Sequence, residues 1–122
     1  MQFKSEAKKS QPNWKLTRLE TWSLPGVPDV LLFDQKNRFQ MVELKYTTTN
    51  AVRLSPHQIS FLSSHGQGLV WLLVKKDPSS RPAEFFLYEG AAVLGVASNG
   101  LREKPFAQKE NIEDIIELLA GA

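Results

Sequence analysis

The chain has 122 residues, enough for one domain of ordinary size and too few for two. Its content of 42% hydrophobic and 23% charged residues is that of a globular chain, and no apolar run approaches the roughly 20 residues of a membrane span. Cysteine is absent and His57 and His65 are the only imidazoles, which excludes disulfides, thiolate zinc sites, cysteine nucleophiles and multi-histidine metal centres. Any metal would be held mainly by oxygen. The opening residues are charged and lack the apolar stretch of a secretory signal, so a cytoplasmic setting is expected. Charge is uneven. Glu110, Glu113, Asp114 and Glu117 stand in a C-terminal stretch without a base, which leaves a positive surplus on the preceding residues and is compatible with a polyanionic partner.

Taken in chain order, residues 2–10 have the pattern of a short amphipathic helix, closed by Gln11-Pro12. Residues 14–22 alternate loosely and predict a strand, and Pro25-Gly26-Val27-Pro28 a rigid turn. Val30-Leu31-Leu32-Phe33 suits a strand buried on both faces. Residues 34–38 form a polar turn before a strand over residues 39–46. After a polar loop, Ser55-Pro56-His57-Gln58 reads as a helix start, with serine at the N-cap, proline at the first position and glutamine at N3. That helix is expected to stop at Gly66. Residues 69–74 predict a second buried strand, 84–88 an edge strand, and 91–97 fit neither period. Ile112, Ile115, Ile116 and Leu119 mark one face of a last helix. The expected fold is mixed α/β in one domain over residues 1–122, a central mixed sheet flanked by helices.

The segment from Gly26 to Gln58 carries the chemistry. If residues 27–34 and 38–46 pair through a three-residue loop, Asp29 lies directly across from Glu43, and Lys45 shares Glu43's face. Directly opposed carboxylates have Cβ atoms about 5 Å apart. They then repel by about 3 kcal/mol at an effective dielectric near 20. A shared proton, the Lys45 ammonium or a divalent cation can answer that repulsion. A loop one residue shorter or longer would put Asp29 on the face of Leu44 instead. The competing reading is a turn aspartate and a solvated E-x-K face.

At these residues the sequence resembles the PD-(D/E)XK nuclease superfamily. Pro28-Asp29 matches the PD element and Glu43-Leu44-Lys45 the (D/E)XK element. The Gly-Val-Pro-Asp opening, the V-E-L-K strand and the S-P-x-Q helix start are most similar to the VRR-NUC branch, and more distantly to Holliday-junction resolvases. The resemblance covers about half of the chain, residues 16–74. It implies a nuclease core with Mg²⁺ or Mn²⁺ on Asp29, Glu43 and the carbonyl of Leu44, and Lys45 orienting or deprotonating the attacking water. Gln58 would face the active site, although a capping box alone also explains it. Family members often have one more upstream acid, for which Glu20 and Glu6 are the candidates.

The implied activity is Mg²⁺-dependent, structure-selective cleavage of branched DNA such as Holliday junctions by a homodimer, of the kind a phage uses in the host cytoplasm. The alternative is a non-catalytic DNA-binding or assembly module on the same fold. Arg18, Lys36, Arg38 and Arg53 are the candidate phosphate contacts. Trp14, Trp22 and Trp71 read as core or interface, with Phe85, Phe86 and Tyr88 further candidates for a dimer contact. No helix-turn-helix, zinc finger or aromatic single-strand platform is evident.

Overall fold

The computed structural model describes residues 2–19 and 25–122. Six strands form one mixed sheet in chain order: β1 (Lys15–Arg18), β2 (Val30–Phe33), β3 (Phe39–Thr47), β4 (Val70–Lys76), β5 (Glu84–Glu89) and β6 (Ala107–Lys109). Neighbours are antiparallel except β3 and β4, which run parallel and are joined by the crossover helix α2 (Pro56–Ser64). Helix α1 (Gln2–Ser10) precedes the sheet, α3 (Val93–Asn99) follows β5, and α4 (Ile112–Gly121) ends the chain. Among the described residues no helix is long and apolar enough to cross a membrane.

The two faces are covered unequally. On one, Phe3 and Ala7 of α1 and the isoleucine–leucine stripe of α4 pack on Val30, Leu32, Val42, Trp71, Leu73, Phe85 and Leu87. On the other, α2 and α3 shelter Leu72, Val74, Phe86 and Tyr88, together with Val70. Neither cluster on that second face reaches β1 or β2. Strand β4 is therefore buried on both sides, as its unbroken apolar run predicts. Strand β2 differs from expectation: Val30 and Leu32 are buried, whereas Leu31 and Phe33 are only half-buried, because no described helix lies over them.

Three further expectations change. The first strand is shorter than residues 14–22, and Trp22 lies outside the described residues. Residues 84–88 do not form an edge, since β6 pairs beyond them; three residues without apolar alternation leave no periodic signal. Residues 91–97 begin in a 3₁₀ turn and continue as α3. Trp14, Trp71, Phe85, Phe86 and Tyr88 are all buried within the chain's own core, so none is free to form a dimer contact.

The β2–β3 turn is anchored by a buried polar relay. Asp34 N–H donates to the Arg38 carbonyl, and Asn37 N–H to the Asp34 carbonyl. Asn37 takes a positive φ of 60°, the left-handed position of a three-residue hairpin loop. The Asp34 carboxylate accepts from Lys36 N, Arg38 N, Arg38 Nε and Gln40 Nε2. Gln40 also donates to the Leu119 carbonyl and accepts from Trp71 Nε1, which ties the turn to α4 and β4. Burial pushes the Asp34 carboxyl up, but the hydrogen bonds from Gln40, Arg38 and Lys36 outweigh it and hold it at about 2. A depressed carboxyl stabilises the fold above its unfolded value of 3.8, and that contribution is lost as the pH falls towards 2. Asp34→Asn should therefore cost about 1–2 kcal/mol at neutral pH, allowing for solvent screening. The same variant should flatten the acid limb of a denaturation–pH profile.

Candidate functional site

Register decides which side chains meet. Phe33 opposes Phe39, Leu31 opposes Met41 and Val30 opposes Val42, so the next position along places Asp29 against Glu43. Strand β2 begins at Val30, and there the Asp29 side chain takes over from the ladder: its Oδ2 accepts from Leu44 N at 3.0 Å. The N–H and C=O of one residue point to the same side of a strand. The Leu44 carbonyl is therefore also directed towards Asp29, past the end of β2. Leu19 N–H donates to the Asp29 carbonyl and holds this end of the sheet closed.

Glu43 is only 3% exposed and shares its sheet face with Lys45. Helix α2 brings in Gln58. Ser55 and Gln58 form the capping box: Ser55 Oγ accepts from Gln58 N, and Gln58 Oε1 accepts from Ser55 N. The other end of the same amide, Nε2, donates to Glu43 Oε2 at 3.2 Å. Gln58 thus caps the helix and contacts the buried carboxylate at once. The approach of the turn to α2 depends on Gly26. Its φ of 87° is left-handed, and a Cβ there would collide with the His57 carbonyl.

Electrostatically the pair is unbalanced. Burial, the neighbouring Asp29 charge and a hydrogen bond with Asp29 push the Glu43 carboxyl up to about 8, with Lys45 only partly opposing them. Among the described residues no group of three His, Cys, Asp or Glu side chains gathers in metal-ligating range. The oxygen donors are two carboxylates and the Leu44 carbonyl. Such a set fits a small hard cation that keeps water and takes the rest of its shell from a phosphate.

An open groove of about 720 Å³ is lined by Lys45 and Gln58, the two neighbours of Glu43, together with Arg53, Ser55 and the residues around them. The loop that carries Arg53 is held by Leu101 N–H on the Asn50 carbonyl and Lys76 Nζ on Asn50 Oδ1. Of the four candidate phosphate contacts, Arg53 alone lines this groove. Arg18 pairs with Val30 and so shares the face opposite Glu43. Lys36 and Arg38 stand at the far end of the hairpin, where Arg38 is engaged by Asp34 and both donate to the Ala122 carbonyl. Glu6 forms an ion pair with Lys9 on α1, the helix packed against the opposite face. Glu20 lies outside the described residues. His57 is exposed, and His65 stacks on Phe61 at the end of α2.

No family model, curated protein or solved structure matches the chain.

A carboxyl raised in the folded state favours folding fully below its unfolded value of 4.5, and that contribution is lost as the pH rises through about 8. Without divalent cation, stability should accordingly fall between about pH 5 and pH 8.5, and Glu43→Gln should flatten this slope. Urea denaturation at several pH values checks it.

Proposed function

We propose that the chain is a divalent-metal-dependent DNA endonuclease with a PD-(D/E)XK core of the VRR-NUC kind, acting on branched DNA. The observation that carries this reading is the convergence of Asp29, Glu43, Lys45 and Gln58 on one sheet face beside an open groove. A structural ion-pair face would expose these groups to water. Here a carboxyl group is buried against a carboxylate, an arrangement that a proton on Glu43 relieves in the free protein and that a bound cation would relieve with both groups ionised.

Mg²⁺ or Mn²⁺ would be held by Asp29, Glu43 and the Leu44 carbonyl, and when bound it would polarise a phosphoryl oxygen and acidify its water. The chain's own groups do the remaining work. Lys45 supplies positive charge where a phosphodiester gains negative charge in the transition state. Gln58 is a positioning residue: its capped amide fixes the Glu43 carboxylate without adding charge. Arg53, exposed on the groove, is placed to contact a phosphate backbone. Two matched cuts at a four-way junction call for two copies of this site, which supports a homodimer on DNA.

Asp29→Asn, Glu43→Gln and Lys45→Ala should each lower cleavage of labelled DNA by on the order of 10²-fold or more, with the fold intact. A panel of duplex, flap, fork and four-way junction at fixed salt, with Mg²⁺ and then with EDTA, checks both the activity and the preference for branches. Near-normal turnover in any of the three variants overturns the assignment. Binding without cleavage by the wild type would instead identify a non-catalytic module. The salt slope of binding should become shallower in Arg53→Ala and stay unchanged in Lys36→Ala, which separates the groove from the hairpin tip.

A further inference from the structure

The face that carries Asp29, Glu43 and Lys45 continues from β3 onto β2 and β1, and over those two strands no described helix lies on it. Phe33 and Phe39 stand opposite each other there, ring centroids 4.9 Å apart and tilted by 56°. Phe39 is 64% exposed, the most exposed large apolar side chain among the described residues. With Lys15, Thr17 and Leu31 the pair lines a recess of about 310 Å³. Along β3, Phe39 precedes Glu43 by four residues, or about 13 Å at the rise of a strand.

We propose that this recess takes an unpaired nucleobase of the DNA substrate, a few nucleotides from the phosphate at the Asp29–Glu43 pair. The inference rests on the nuclease reading and narrows its substrate to branched DNA with a single-stranded segment. Aromatic side chains bind unpaired bases by stacking, and a sequence-tolerant enzyme needs no more than that. Lys15, exposed at the rim, complements the backbone that such a base trails. Asp29 and Glu43 are the acids this face carries on β2 and β3, and both lie at the site end, so phosphate is not repelled along the way. The shape also separates the candidate occupants. A stable interface between copies engages about 20–30 residues of each partner, whereas this recess is lined by Lys15, Thr17, Leu31, Phe33 and Phe39. A small recess with one projecting ring matches a flat heterocycle instead.

The test is equilibrium binding by fluorescence anisotropy in EDTA, at fixed salt, with a blunt duplex and the same duplex bearing a single-stranded overhang. A 2-aminopurine in the overhang reports stacking directly. Phe39→Ala should weaken overhang binding by about tenfold and leave the blunt duplex unchanged. It should also abolish the 2-aminopurine response, and Phe39→Trp should restore both. Equal binding of the two DNAs by wild type and Phe39→Ala overturns the proposal. So does a dimer that Phe39→Ala converts to monomer in sedimentation, because the face then joins two copies. If the overhang results hold but Mg²⁺ yields no cut in any DNA, the nuclease reading falls while the base recess stands.

Discussion

A three-residue loop between Asp34 and Arg38 governs the register of β2 on β3, and through it the position of every side chain at the candidate site. Side chains alternate with a period of two, so a slip of one residue would move Asp29 to the face of Leu44. The buried carboxylate of Asp34 resists such a slip. It takes hydrogen bonds from within the loop and from the strand that follows it, and Gln40 extends the network to Trp71 and the last turn of α4. The polar relay on the α4 face thereby holds the geometry of the acidic pair on the opposite face.

At the other end of the hairpin the same architecture creates an electrostatic deficit. Glu43 is buried beside Asp29, and the amide of Gln58 adds a donor without a charge. Lys45 offsets part of the repulsion. Gln58 is available because its other atom is already committed to capping α2, which leaves its side chain little freedom to turn away. The helix start and the acidic pair are thus one mechanical unit, closed by the turn at Gly26 that rests on His57.

Unequal covering of the sheet links this unit to the aromatic recess. Helices α2 and α3 cover β4 and β5 and stop short of β1 and β2. The uncovered strip places Phe33 and Phe39 on the same side as Asp29 and Glu43, whereas α1 and α4 seal the opposite side. Arg18, Lys36 and Arg38 lie towards the sealed side or the far turn, and Lys15, Lys45 and Arg53 border the open one.

Short-range patterns were legible in the chain itself. The Ser-Pro-x-Gln start of α2, the isoleucine stripe of α4, the unbroken apolar run of β4 and the register of the β2–β3 hairpin all follow from local chemistry: a cap, a period and a loop length. Asp29 and Glu43 could be paired from that register alone. Long-range packing decided the rest. Whether Leu31 and Phe33 are buried depends on helices distant in sequence, and so does the fate of Phe85, Phe86 and Tyr88, which the core absorbs. The same register that paired the carboxylates also pairs Phe33 with Phe39, yet it cannot tell a platform from a core, because periodicity records which residues share a face and not what covers it. Burial is a property of the assembled layers, and only the tertiary structure contains them.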